Sequence, residues 1–225
     1  MSQVTKGTLL NTLASSDPAA LRLPDESDEI TKRILAAAFE QFSVVGWRRS
    51  TVEDVAKRAG LGRATVYRRF PNKSALTVAV AQAELGRYMA GAALASGGQA
   101  TVADRMAESS AYTLEFVRNH PLLRRLLETE PDAILPTLTT EAGPIIETFR
   151  EFCAALWKTE IYGDAIVSQQ TITHLRTAAE LHIRIALSLI LTQESAIELD
   201  TAEQARQFTR HYLAPMLDAN QDTGQ

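Results

Sequence analysis

The spacing of three residues constrains this chain more than any other feature: Ala56, Gly60 four positions later, and Val66 six positions after that. Two helices that cross closely need a small residue at the contact, a turn residue tolerant of positive φ, and an apolar residue on the second helix to dock on the first. Ala56, Gly60 and Val66 meet those three demands in order, and Val55, Ala59 and Leu61 supply the rest of the inward face. Ser50 with Glu53 has the spacing of a capping box that would open the pair. The second helix is expected over about Arg63 to Phe70, with Pro71-Asn72 breaking the chain behind it.

What this pair leaves facing outward is cationic and polar: Arg63, Thr65, Tyr67 and Arg68. Such groups contact phosphates and base edges. Between Arg48 and Lys73 stand eight basic residues (Arg48, Arg49, Lys57, Arg58, Arg63, Arg68, Arg69, Lys73) and two acidic ones (Glu53, Asp54), a local balance of +6 within a chain of net charge −4. From Gly91 onward ten basic residues face eighteen acidic ones, a balance of −8. A basic end on an acidic body suits a protein that offers one face to a polyanion.

The rest of the chain reads as helix, and no alternating strand pattern or internal repeat interrupts it. Residues 1–27 lack periodicity and carry Pro18 and Pro24, so a flexible tail is expected there. Ile30, Ile34, Leu35, Ala38, Phe42 and Val45 predict a first helix from Asp28 to Gly46. After the pair, Asn72 is placed to cap a helix from Lys73 to about Leu94. A further helix carries Val102, Met106, Phe116 and Val117. Pro121 opens another at its favoured first position, with His120 as its terminus. Pro131 and Pro136 are expected to bracket a tight connection. Helices are then predicted over about Thr140 to Trp157, Val167 to Leu191, and from Thr201, where Gln204 completes a second capping box. The expected class is all-α: a three-helix helix-turn-helix headpiece over 28–75, joined by a linking helix to an antiparallel helical bundle over 76–220.

The stretch Thr51-Val-Glu-Asp-Val-Ala-Lys-Arg-Ala-Gly-Leu-Gly-Arg-Ala-Thr-Val-Tyr-Arg-Arg-Phe-Pro-Asn-Lys-Ser-Ala-Leu76 resembles the DNA-binding signature of the TetR (tetracycline repressor) family, and Ile34 to Phe42 with Gly46 resembles its first helix. The likeness covers about residues 30–76, roughly a fifth of the chain. It implies that Thr51 bonds a phosphate, that Arg63, Ala64, Thr65 and Arg68 face the major groove, and that Tyr67 and Lys73 hold the backbone on either side. The sequence departs from the family at Arg69, where His is frequent; there it either adds a phosphate contact or points to solvent. It departs also at Gly62, where a Ser or Thr cap is frequent, and that costs only a few tenths of a kcal/mol.

The resemblance further implies a homodimer, which suits a palindromic operator because two half-sites about 34–36 Å apart, or a multiple, restore affinity and specificity. The single cysteine fits a reducing cytoplasm, where the protein is expected. The pairing would use the last two long helices, where Leu175, Ala179, His182, Ile183, Ala186 and Ile190 make a broad apolar surface. TetR-like proteins also carry an effector cavity. The aromatic residues Tyr112, Phe116, Phe149, Phe152 and Trp157 are the candidates to line it for a small apolar effector. A repressor released by such an effector is the leading expectation; a ligand-independent DNA-binding repressor or architectural protein is the alternative. His174 and His182 stand eight apart, too far to share a metal without a third element, so no metal or other cofactor is expected. No glycine-rich phosphate loop, paired catalytic carboxylates or nucleophile motif is present, and no enzyme is expected. The most apolar run, Leu181 to Leu191, contains Arg184 and is far shorter than the ~20 residues that span a bilayer. Cys153, alone, is expected to act as a small buried hydrophobe.

Overall fold

The computed structural model describes residues 28–192 and 194–218; the expected tail, 1–27, lies outside the described residues. Ten α-helices and no strand are found among them. The chain divides into two compact units: residues up to Met89 with Asn119–Pro144, and Ala90–Arg118 with Ile145 onward.

In the first unit, α1 (Glu29–Val45) starts at Asp28, whose carboxylate accepts the Thr31 N–H at 3.2 Å. It buries Ile34, Leu35, Ala38 and Phe42 on one face. Helix α2 (Val52–Ala59) is capped one residue later than the sequence suggests. Thr51, extended at φ −116°, exchanges hydrogen bonds with Asp54, while the buried Ser50 hydroxyl donates to the Gly46 carbonyl at 2.6 Å. Those bonds hold the Asp54 carboxyl below its ordinary pKa, the Thr51 hydroxyl contributing most. The turn follows the expected chemistry: Gly60 adopts φ +61°, and the Leu61 N–H reaches the Ala56 carbonyl at 3.0 Å. Helix α3 (Arg63–Arg69) starts at Gly62 without a side-chain cap and docks through Val66, which is fully buried.

Asn72 then accepts the Ala75 N–H at 2.8 Å and starts α4 (Lys73–Ser96). Helix α6 (Pro121–Thr129) has Pro121 in its first turn, and His120 Nδ1 accepts the Leu123 N–H at 3.1 Å. The other ring nitrogen of His120 lies 3.0 Å from Glu84, and Phe39 meets the ring edge-on. Leu122 and Leu126 complete a core with Ile34, Phe42, Val55, Val66 and Leu76. The connection expected between Pro131 and Pro136 is instead a helix, α7 (Pro131–Leu138). Pro131 falls at the first position, where its missing N–H costs nothing, and the helix runs only two residues beyond Pro136.

Glu130, buried at the α6–α7 junction, accepts the Arg48 N–H with both carboxylate oxygens at 3.1 Å, and the Arg48 guanidinium pairs with Asp132. A Cβ at Gly46 would overlap the Glu130 carboxylate, and Gly46 sits at φ +92°. Glycine is therefore required there on two counts.

The second unit is built from α5 (Val102–Asn119), α8 (Gly143–Tyr162), α9 (Gln169–Leu191) and α10 (Ala202–Phe208). Helix α8 begins three residues after the expected Thr140, because a turn in which Ala142 N–H reaches the Thr139 carbonyl at 3.2 Å takes up the approach. Helix α9 is capped by Ser168, and α10 by the expected Thr201–Gln204 box. The chain then loosens into a π-turn at Thr209–Leu213 and a tight final turn, Ala214–Leu217, around Pro215. Met106, Ala154, Trp157, Leu175, Ala178, Ala179, Leu213, Ala214 and Leu217 form the core. Cys153 packs against it, and burial pushes its thiol up to about 11. No helix among the described residues is long and apolar enough to cross a membrane.

Candidate nucleic-acid interface

Helices α2 and α3 are fixed relative to each other from below and from the side. Ala56, Ala59 and Val66 close the crossing. Arg33, on α1, donates to the Ala59 carbonyl at 2.8 Å and to that of Gly60 at 3.2 Å, holding the free carbonyl end of α2 and the turn. No local pattern announces Arg33, because its partners lie 26 and 27 residues away.

The residues expected to meet a nucleic acid fall into two groups. Arg63, Ala64 and Arg68 are exposed on α3, and Thr65 and Tyr67 are half-buried beside them. Arg68 has no partner among the described residues. Arg63 Nε lies 2.7 Å from Glu53 Oε1, and its guanidinium carbon sits 5.2 Å from the centre of the Tyr67 ring. The Tyr67 hydroxyl donates to the same Glu53 oxygen at 3.4 Å. The second group is turned to framework contacts. Thr51 is engaged with Asp54 at the α2 cap. Arg69, although exposed, pairs with Asp28 and donates to Thr31 at 2.8 Å at the start of α1. Lys73 Nζ donates to the Arg48 carbonyl at 2.9 Å; burial lowers its pKa, and the Glu130 charge opposes that.

The charge of this face is smaller than the segment's +6 suggests. Arg48, Arg58 and Arg69 pair with Asp132, Glu40 and Asp28, all acids from outside the segment. The cations that no hydrogen bond or ion pair engages among the described residues are instead Arg49, Lys57 and Arg68, all exposed, with Lys57 near enough to Asp54 to help hold its carboxyl ionised. What remains is a short helix that presents a fixed polar face flanked by unpaired cations, the arrangement that reads base edges and grips phosphates.

In the second unit the expected effector residues differ in burial and contacts. Tyr112 and Phe116 pack on each other at 5.8 Å, with Gly91 leaving room for the Tyr112 ring. Trp157 is buried in the core against His182, at 5.2 Å between rings, Phe149 is half-buried and Phe152 is exposed. A solvent-open concavity of about 420 Å³ is lined by Gln169, Gln170, Thr173, His174 and Thr177 of α9, none of them among the five aromatics. Of the residues expected at a dimer contact, Leu175 and Ala179 are interior, 2% and 0% exposed, so they serve the core of this unit rather than a partner. His182, Ile183, Ala186 and Ile190 are half-buried. Burial also lowers the pKa of His182.

Residues 34–80 match the model of the tetR family of bacterial regulatory proteins. No curated protein matches the chain significantly. Among solved structures, the TetR family repressor AlkX from a Dietzia species, implicated in biodegradation of n-alkanes, is 26% identical, with 83% of this chain and 97% of that one covered and a TM-score of 0.62. The fatty acid degradation regulator FadR from Bacillus halodurans shares the fold at 14% identity, covering 84% of this chain and 99% of its own with a TM-score of 0.52. The helix pair closed on Ala56, Gly60 and Val66, the polar face of α3 and these likenesses agree: residues 34–80 carry a DNA-binding helix-turn-helix of the tetR type, on a fold shared with TetR-family regulators.

Proposed function

We propose that this protein is a homodimeric repressor that binds a palindromic operator through α3 and leaves it when a small apolar effector binds the second unit. The observation that carries the reading is the face of α3, where Arg63, Ala64, Thr65 and Arg68 stand on a helix pair whose crossing is pinned by Ala56, Val66 and Arg33. A recognition helix must be held this firmly, because displacement of about an ångström spoils bidentate contacts to base edges. Tyr67 and Lys73 flank that face, and Thr51 opens the helix before it.

One headpiece makes few contacts, so a second copy is needed for useful specificity. The half-buried Ile183, Ala186 and Ile190, with the exposed Leu181 and Tyr212, supply apolar surface in the second unit for it. The apolar effector is supported by Tyr112, Phe116 and Phe149, which are aromatic and incompletely buried, and by the association of AlkX with n-alkane breakdown. A ligand-independent repressor remains the second reading, favoured by the use of Trp157 as core.

Binding-site selection with the purified protein, followed by sequencing, tests the proposal. A palindromic enriched site is expected. Titrating n-alkanes of increasing length into the protein–operator complex should then release DNA. A selected site without two-fold symmetry would overturn the dimer, and indifference to every apolar compound would favour the second reading.

A further inference from the structure

Glu53 is an acid on a face that meets a polyanion, and the local structure does not account for it. Its neighbour Asp54 is spent on the Thr51 cap. Glu53 lies in the first turn of α2, where the helix dipole welcomes an acid. The dipole does not, however, require its carboxylate to cross to α3. It crosses nonetheless: one oxygen lies 2.7 Å from Arg63 Nε and accepts the Tyr67 hydroxyl at 3.4 Å, while the Arg63 guanidinium sits over the Tyr67 ring at 5.2 Å. A carboxylate and an aromatic ring thus bear on one guanidinium, and both holding groups are on the α2–α3 pair itself.

We propose that Glu53 is a specificity-determining positioning residue that holds Arg63 for a base contact and keeps it from the phosphates. The chemistry follows from the guanidinium's shape. Arginine offers five N–H donors in a rigid fork. With the Nε edge taken by Glu53, the two terminal nitrogens remain as the donor pair, which matches O6 and N7 of guanine. A free arginine beside DNA has a competing use, the nearest phosphate, which carries no sequence information. The Glu53 charge repels phosphate and attracts Arg63, so it disfavours that use. Arg68 has no such restraint, so the two arginines of the face differ in kind. The inference rests on the operator-reading role of α3 proposed above.

The test is site selection followed by affinity measurement against every single-base variant of the selected half-site, at several salt concentrations. The parent is compared with E53Q, which removes the charge, and E53D, which keeps the charge near the helix end but shortens the reach to Arg63. Melting temperatures check that each variant folds. Both substitutions should relax discrimination at one G·C pair per half-site by about tenfold or more. For E53Q, affinity for random-sequence DNA should rise and the salt dependence steepen by about 0.9 in log–log slope per half-site, the signature of one added phosphate contact. In an R63A background neither Glu53 substitution should change discrimination further. The inference is overturned if E53Q and E53D keep the parent's base preferences. It is overturned equally if their effect persists undiminished with R63A, since Glu53 would then read a base itself. Should the parent enrich no sequence at all, the operator-reading role fails along with it.

Discussion

Arg68 is the residue on which the reading of α3 depends most directly. It is exposed on α3, as Arg63 and Ala64 are, and no described residue competes for it. Arg68→Ala should therefore leave the melting temperature unchanged and weaken binding to the selected operator. A good bidentate base contact contributes ~1–3 kcal/mol of discrimination, so the loss should concentrate at one base pair. Fluorescence anisotropy against the operator and its single-base variants measures this. A uniform loss across all variants would make Arg68 a phosphate ligand, and no loss would remove it from the site. The contrast with Arg69 is instructive. The two are adjacent and identical in kind, yet Arg69 is turned onto Asp28 and Thr31 at the start of α1. Its substitution should act on headpiece stability before it acts on DNA.

At the scale of elements, what was legible in the sequence was whatever is decided within about one helical turn. Gly60 at φ +61°, Pro121 opening α6 and Asn72 capping α4 are local matters of backbone and cap chemistry, and each stands where its residue type demands. The α2 cap was ambiguous because Ser50 and Thr51 are both good caps and each has an acid three residues on. Burial of Ser50 against the Gly46 carbonyl decides it, and burial is not a local property. Arg33 on the α2 carbonyls, Glu130 on the Arg48 N–H and Asp28 against Arg69 join residues 26 to 82 apart, so periodicity could not find them. Helical spacing likewise told which residues share a face but not what that face meets; Leu175 and Ala179 turned inward for that reason. The α2–α3 crossing itself yields a direct test. Ala56 is 3% exposed at the contact. Ala56→Leu forces three extra carbons into it, and overpacking costs ~1–3 kcal/mol. The expected outcome is lost operator affinity with the second unit intact, seen as preserved amide protection in α9 by hydrogen exchange. Full operator binding by the mutant would mean that the pair does not cross at Ala56.

At the scale of the whole molecule, the question is how an event in one unit could reach the other, and one helix belongs to both. Helix α4 runs from Lys73 to Ser96 without a proline, through the boundary between Met89 and Ala90. Its first turns are anchored in the headpiece: Leu76 and Val80 are buried in that core, and Thr77 accepts the Trp47 indole N–H at 2.6 Å. Its last turns belong to the second unit, where Gly91 faces Tyr112. A continuous helix resists bending, so a displacement at the Gly91 end is carried to the Leu76 end as a tilt. If the proposed effector binds one tilt better than the other, it shifts the operator-competent population without touching DNA. Typical coupling of this kind is ~1–3 kcal/mol, a ~5–150-fold change in operator affinity. Ala81→Pro should uncouple the two ends, because proline removes one backbone hydrogen bond and clashes with the preceding turn, at a cost of ~3 kcal/mol or more. The expected result is a protein that still binds effector, measured by calorimetry, but whose operator affinity no longer responds to it. Ala81→Gly is the milder companion: at ~1 kcal/mol it softens the helix without breaking it and should reduce the response only in part. A proline variant that binds effector and releases operator as fully as the parent would show that the signal does not travel along α4.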